Sequence, residues 1–126
     1  VEKINVNEAD IVVGLLASGT TPFTIEVLKS SKRYNALTIA IINNKNNLLN
    51  EIVDYCINLK TGSEVIAGST RLKAGTSQKV FLNIFSTIIF TKLGYVKNGM
   101  MVNMKPTNLK LRKRKKLIDN MLFENK

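Results

Sequence analysis

Two segments of the sequence combine glycine with hydroxyl or charged residues in a way that could bind an anionic ligand. In the first, Ser18, Gly19 and Thr21 come directly before Pro22, where a helix is predicted to begin. Unpaired amides at a helix N-terminus and the helix dipole both favour a phosphate group. The same residue types also form an ordinary helix cap, so phosphate binding and simple capping are both open interpretations of this turn.

The second segment is the stretch 68–79, GSTRLKAGTSQK, which follows Glu64. Its small residues allow a ligand to approach the backbone, and its three cationic side chains can attract an anion. Glu64 is the only acid of this loop, and a carboxylate beside a sugar can accept hydroxyl hydrogen bonds or move a proton. An ion pair between Glu64 and Arg71 or Lys73 is the competing interpretation.

The sequence excludes several other kinds of chemistry. The chain has no histidine and a single cysteine, Cys56. Catalytic arrangements of the Ser-His-Asp or Cys-His type, zinc sites that contain histidine and an internal disulfide framework are therefore excluded, and we expect no metal site. Cys56 lies in a predicted strand, where a packed small hydrophobic side chain is a better interpretation than a nucleophile.

The net charge of +10 raises the possibility of nucleic-acid binding. The basic residues cluster in one run, 110–116, KLRKRKK. That run has no aromatic side chains between its cations to stack on bases. The sequence is also rich in Asn, Ile and Lys, as an AT-rich coding sequence would make it, so nucleic-acid binding is the less favoured interpretation.

The length of 126 residues fits one compact domain rather than two full ones. No apolar run approaches the ~20 residues that cross a bilayer, and the chain does not open on a signal peptide. We therefore expect no membrane association and a cytoplasmic location.

The hydrophobic pattern predicts alternating strands and helices in the first half of the chain. In order, these are a strand at 10–17, a helix at 23–33, a strand at 37–42, a short helix at 48–55 and a strand at 56–59. This order predicts right-handed crossovers and a parallel sheet of about three strands in an α/β fold. Because such a sheet has two exposed edges, we expect further strands from a partner or from sequence not present here.

The second half of the chain is predicted to be mostly helical. An ordered functional loop at 61–76 precedes a helix at 80–93 that is apolar nearly all round and should therefore be buried. A loop then passes through Gly99 to Thr107, which is predicted to cap a last helix with its basic run facing water. We divide the chain into a ligand-binding domain at 1–93 and a helical extension at 94–126.

Longer stretches of sequence carry a resemblance to a known family. VVGLLASGTTP at 12–22, TGSEVIAGSTRLKAGTSQKVFLNIFST at 61–87 and MVNMKPTNLKL at 101–111 resemble the C-terminal half of the N-acetylmuramic acid 6-phosphate etherases. These enzymes belong to the sugar isomerase (SIS) domain group and are related to the glucokinase regulatory proteins. The resemblance implies a flavodoxin-like parallel sheet, a sugar 6-phosphate held by Ser18, Gly19 and Thr21, and sugar contacts from Glu64 and Ser69.

The resemblance also implies a reaction. The etherases release D-lactate from N-acetylmuramic acid 6-phosphate and leave N-acetylglucosamine 6-phosphate, a step in the recycling of cell-wall amino sugars. In that reaction the opened sugar loses its C2 proton to a base, the C3 ether leaves with help from an acid, and water adds back. The reaction requires no metal or redox cofactor.

The resemblance assigns the acid and base glutamates to the N-terminal half of the family, so we assign no catalytic residue in this chain. It implies a missing N-terminal half or companion chain and, for the complete protein, a homodimer. Thr20 stands where the etherases usually have arginine. The alternative function is that of a non-catalytic sugar-phosphate sensor similar to the glucokinase regulatory proteins.

Overall fold

The computed structural model describes residues 2–46 and 48–123. The chain forms two compact units, Val1–Phe81 and Leu82–Lys126. After a short 3-10 helix at Glu2–Ile4, the elements in chain order are β1 (Ile11–Leu16), α1 (Pro22–Arg33), β2 (Leu37–Ile42), α2 (Leu49–Ile52), β3 (Tyr55–Asn58), α3 (Lys73–Lys92), β4 (Val96–Lys97), β5 (Met100–Met101) and α4 (Leu109–Phe123). The domain boundary between residues 93 and 94 stays a prediction.

The first unit contains the predicted three-stranded sheet. The strands lie in the order β1-β2-β3, and both pairs are parallel. The prediction of an α/β fold with a parallel sheet is therefore confirmed. The boundaries differ slightly, because α2 is only one turn long and β3 begins at Tyr55, which was expected in the helix.

The core of the first unit lies between the sheet and the two helices α1 and α2. It is a cluster of buried apolar side chains: Leu16, Leu28, Ala40, Ile42, Leu49 and Val53. Gly14 in β1 lets α1 approach the sheet closely, because a Cβ at this position would lie 2.7 Å from Cδ1 of Leu28. The missing side chain of Gly14 thus leaves the space that Leu28 occupies.

A carboxylate fixes β2 beside the turn that enters β3, at the amino end of the sheet. Oδ2 of Asp54 accepts hydrogen bonds from the backbone N–H of Thr38 at 2.8 Å and from its hydroxyl at 2.7 Å. The Thr38 hydroxyl in turn accepts from the N–H of Asp54 at 3.1 Å. Lys32 of α1 lies 3.2 Å from Oδ1 of the same carboxylate. Because Thr38 is fully buried, these bonds satisfy polar groups that would otherwise be orphaned.

The Asp54 contacts predict a pH dependence of stability. The hydrogen bonds from Thr38, with a smaller contribution from Lys32, lower the pKa of the Asp54 carboxyl. A group whose pKa is depressed by folding stabilises the native state above its unfolded pKa of about 3.9 and loses that contribution as the pH falls through its folded pKa. We therefore expect the free energy of unfolding to fall as the pH drops below about 5. Urea titrations between pH 7 and pH 2 measure this fall in the free energy of unfolding.

The Asp54→Asn variant is expected to show a weaker acid dependence than the original chain. Glu26→Gln serves as the matched control, because the Glu26 carboxylate makes only a solvent-exposed pair with Lys29. An equal acid dependence in the Asp54→Asn variant and the original chain would contradict this prediction.

The prediction that the apolar helix is buried is wrong for the chain as described. Ala74 is the only buried residue in α3. Val80, Ile84 and Ile88 are 52%, 55% and 50% exposed. The prediction of burial followed from the hydrophobic residues that lie on nearly every side of α3. The described residues cover only part of that surface. The helix also begins at Lys73, inside the segment predicted as a loop.

The second unit contains a β-hairpin in a region where the sequence predicted a loop. β4 and β5 pair antiparallel around Asn98 and Gly99, whose φ angles are +50° and +73°. Two successive residues with positive φ form the tight hairpin turn for which Asn-Gly is the preferred pair. The Asn-Gly dipeptide was therefore the signal that could have predicted this hairpin.

The last helix begins one residue later than its predicted cap implies. The side chain of Asn108, and not that of Thr107, accepts a hydrogen bond from the N–H of Leu111 at 2.9 Å. Asn108 is therefore the N-cap of α4. The basic residues at 110, 112–114 and 116 face solvent as predicted, but Leu117 and Met121 are also exposed and do not face inward.

Among the described residues, no helix combines the length and the apolar character that crossing a lipid bilayer requires.

Candidate functional site

The first predicted turn lies at the carboxyl end of β1, where it leads into α1. The amide of Gly19 donates to the carbonyl of Leu16 at 2.9 Å, and Gly19 has a φ of +77°, which favours glycine. A Cβ at this position would lie 3.1 Å from the carbonyl oxygen of Asn44 and 3.2 Å from Cβ of Asn46. Gly19 is therefore required both by its backbone angle and by the close approach of the loop after β2.

The Ser18 hydroxyl lies beside the amide and the hydroxyl of Thr20. Its oxygen accepts from the N–H of Thr20 at 3.3 Å and from the Thr20 hydroxyl at 3.1 Å. A hydroxyl has two acceptor lone pairs and one donor hydrogen. The two hydroxyls and the Thr20 amide place several donor hydrogens at this turn, and an anion is the ligand that needs donors.

Thr21 is the N-cap of α1, but its side chain does not cap the helix. The Thr21 carbonyl accepts from the N–H of Ile25 at 3.1 Å, while the side chain accepts no hydrogen bond from the first turn. Pro22 occupies the first helical position. The first-turn amides of α1 are thus left without the usual side-chain acceptor, and they lie at the positive end of the helix dipole.

Glu64 caps the other helix that begins at this edge of the sheet. Its two carboxylate oxygens accept from the backbone N–H groups of Lys73 at 2.8 Å and Ala74 at 3.0 Å. No salt bridge joins Glu64 to Arg71 or Lys73 among the described residues, so the predicted competing ion pair is not formed. Glu64 therefore anchors the start of α3 to the loop after β3.

The capping bonds stabilise the ionised form of Glu64. The hydrogen bond from Ala74, followed by that from Lys73 and the positive charge of Lys73, lowers the pKa of the Glu64 carboxyl. A glutamate is already ionised at neutral pH, and these bonds stabilise that form further. In that form it accepts hydrogen bonds and does not donate a proton, which suits contact with sugar hydroxyls better than a role as a general acid.

A cavity of about 280 Å³ opens at the same edge of the sheet as Glu64. It is lined by polar and small residues: Asn43, Asn44, Thr61, Gly62, Ser63, Glu64, Ala67, Gly68, Thr70 and Ala74. Ser69 is not among them, although both of its neighbours are, and its N–H donates to the carbonyl of Ile66 at 3.1 Å. Among the described residues, this lining contains one carboxylate and no basic side chain.

The loop after β2 connects the two predicted segments. Asn43 and Asn44 line the cavity beside Glu64. The side chain of Asn46 donates to the carbonyl of Gly19 at 2.7 Å. The Ser18–Thr21 turn therefore packs on one part of this loop, while the Glu64 cavity opens at another.

These asparagines were not predicted as site residues, because the richness in Asn was attributed to the base composition of the coding sequence. Asn47, in the same loop, lies outside the described residues. A polar residue directly after a buried parallel strand was the signal that could have identified Asn43, because ligands of open α/β sheets bind at the carboxyl ends of the strands.

Cys56 is a half-buried free thiol in β3. Burial raises the pKa of the Cys56 thiol. A raised pKa leaves less of the nucleophilic thiolate at neutral pH, which agrees with a packing role.

The parallel sheet, with a helix N-terminus and a polar cavity at its carboxyl edge, has the arrangement of an α/β protein that binds a ligand there. The SIS domain family model matches residues 2–87, and the chain belongs to that family.

Within the family, the chain is similar to a set of named enzymes. It is 46% identical over 117 residues to the N-acetylmuramic acid 6-phosphate etherase of Halalkalibacterium halodurans, a match that covers 93% of this chain and 39% of that enzyme. It is 47% identical to the etherases of the same name from Oceanobacillus iheyensis and Caldanaerobacter subterraneus, over 91% and 89% of this chain and 39% and 37% of those enzymes. The resemblance drawn from the motifs is therefore confirmed. The chain spans about two fifths of the length of these relatives.

Proposed function

We propose that this chain is the sugar-phosphate-binding portion of an N-acetylmuramic acid 6-phosphate etherase. The observation that carries the proposal is the placement of two different polar groups at one edge of the sheet, the donor-rich turn Ser18–Thr21 and the acceptor Glu64. Donors suit a phosphate and an ionised carboxylate suits hydroxyl groups. The similarity to the etherases favours a sugar 6-phosphate as the ligand that combines both.

The phosphate is proposed to bind at the Ser18–Thr21 turn. There it receives hydrogen bonds from the Ser18 and Thr21 hydroxyls and from first-turn amides of α1, and the helix dipole stabilises its charge. The sugar ring extends toward the cavity and places hydroxyl groups near Glu64. Ser69 is proposed to contact the sugar from the 67–70 loop, where the neighbouring Gly68 and Thr70 line the cavity.

Catalysis is proposed to need residues beyond this chain. The chain spans 39% of the H. halodurans relative, and the family resemblance assigns the acid and base to the other part. β1 and β3 are the edge strands of the sheet, and Ile11 and Leu15 of β1 are exposed. Strands of an N-terminal half or companion chain would pair with the β1 edge and cover these side chains.

The complete protein is proposed to be a cytoplasmic homodimer in which the exposed apolar surface of α3 is covered by the partner. Contiguous exposed apolar surface is typical of protein interfaces. Val80, Ile84 and Ile88 share one side of α3 at helical spacing and are all at least half exposed.

We predict that the purified chain alone releases no D-lactate from N-acetylmuramic acid 6-phosphate, because the family resemblance assigns the acid and base to the N-terminal half. The measurement is an enzyme-coupled D-lactate assay, with the H. halodurans etherase as positive control. Adding the N-terminal part of that etherase to this chain is expected to restore release. Robust turnover by the chain alone would contradict the prediction. Sugar-phosphate binding by the completed protein without any turnover would favour the sensor function.

A further inference from the structure

Asn43 makes hydrogen bonds toward both predicted ligand segments. It follows β2 directly and is 9% exposed. Its backbone N–H donates to the carbonyl of Ala17, the residue before Ser18, at 3.1 Å. This hydrogen bond connects Asn43 to the start of the Ser18–Thr21 turn.

The Asn43 side chain is tied to the other segment. Its Nδ2 donates to the carbonyl of Leu59 at 2.9 Å and to the hydroxyl of Ser77 at 2.8 Å. Its Oδ1 accepts from the side-chain amide of Gln78 at 2.9 Å. One side chain therefore joins the end of β3 to the first turns of α3.

These bonds also reach the residues that Glu64 caps. The Ser77 hydroxyl donates to the carbonyl of Ala74 at 2.8 Å, and the N–H of Ala74 donates to Glu64. The Gln78 side chain further contacts the carbonyl of Ile41 in β2 at 3.5 Å. A part-buried polar network centred on Asn43 therefore contacts the same turn of α3 that Glu64 caps.

The hydrogen bonds at position 43 require a side chain with a primary amide. It offers two donor hydrogens and an acceptor oxygen in one plane, and Asn43 uses both kinds of group. Aspartate has the same shape but cannot donate, so it would leave the Leu59 carbonyl without its donor and bury a charge. A buried polar group that loses its partner is costly, so the surrounding groups must move.

We propose that Asn43 is a positioning residue that sets the separation between the Ser18–Thr21 turn and Glu64, and thereby lets one sugar phosphate contact both. The proposal rests on the function proposed above for these two segments. A ligand that contacts only the first turn, such as inorganic phosphate, does not depend on that separation.

The first test measures the network without any ligand. Amide hydrogen exchange by NMR is compared for the original chain, Asn43→Asp and the matched control Asn50→Asp, whose side chain is exposed on α2. We expect the amides of Lys73 and Ala74 to exchange at least tenfold faster in Asn43→Asp, while those in β1 and β2 keep their protection. Unchanged rates at Lys73 and Ala74, or an equal acceleration throughout the sheet, would overturn the proposal.

The second test separates positioning from general stability. Calorimetry with N-acetylglucosamine 6-phosphate is expected to show at least tenfold weaker binding to Asn43→Asp, with inorganic phosphate affected less than twofold. Equal losses for the two ligands would overturn the proposal. If Asn43→Asp does not fold, Gln78→Ala removes one bond of the network and is expected to weaken binding of the sugar phosphate alone. If the original chain binds neither ligand, the proposed function fails, and the exchange rates still decide whether Asn43 positions Glu64.

Discussion

Replacing Leu28 by alanine is expected to lower the free energy of unfolding by about 2 to 5 kcal/mol, the range for truncating a buried leucine. Leu28 is fully buried and belongs to the cluster between α1 and the sheet. Its side chain fills the space that Gly14 leaves open. Truncation removes buried apolar surface from the core. It also leaves a cavity that the parallel sheet cannot close completely. Urea unfolding followed by circular dichroism measures the loss.

Phe23→Ala is the control for this prediction. Phe23 lies on the same helix but is 78% exposed, so its truncation should change the free energy of unfolding by about 0.5 kcal/mol or less. Similar losses in the two variants would mean that α1 does not pack on β1 and β2 as described. The position of the Ser18–Thr21 turn would then be in doubt as well, because α1 begins at that turn.

The second large effect is expected for Gly19→Ala. A residue with a side chain is strained at a φ of +77° by about 1 to 2 kcal/mol. The new Cβ would in addition lie 3.1 Å from the backbone carbonyl oxygen of Asn44, so the loop after β2 must move. We expect a loss of unfolding free energy larger than the backbone strain alone, by about 1 kcal/mol or more.

Gly94→Ala isolates the steric part of this effect. Gly94 has the same φ of +77°, but a Cβ there would meet nothing within 4 Å. The two variants therefore share the backbone strain and differ in the contact with Asn44. An equal loss in both variants, measured by urea unfolding, would show that the turn and the loop after β2 are not in close contact.

The sheet was predictable because its signals are local. The apolar runs of β1 and β2 and the Ser-Gly-Thr-Thr-Pro turn are short patterns with a direct physical meaning, and the order of elements then implies parallel pairing. The start of α3 was not predictable in this way. It depends on Glu64, which lies nine residues before the first amide that it caps.

The environment of α3 illustrates a second limit. Hydrophobic residues on nearly every side predict burial, but burial requires a second surface, and the sequence of one chain does not specify where that surface comes from. The network around Asn43 illustrates a third limit of prediction from sequence. The partners of Asn43 are 16 to 35 residues away in the chain, so the network exists only once the sheet and α3 are folded together.

The most direct measurement of the central claim is calorimetric titration of N-acetylglucosamine 6-phosphate into the original chain and into a Ser18→Ala, Thr21→Ala double variant. A Ser86→Ala, Thr87→Ala double variant, which removes the same two hydroxyls from α3, is the matched control. We predict saturable heat for the original chain and the control, and binding at least tenfold weaker for the Ser18 and Thr21 variant. Undiminished binding by that variant, or no heat with the original chain, would contradict the claim that the phosphate binds at the N-terminus of α1.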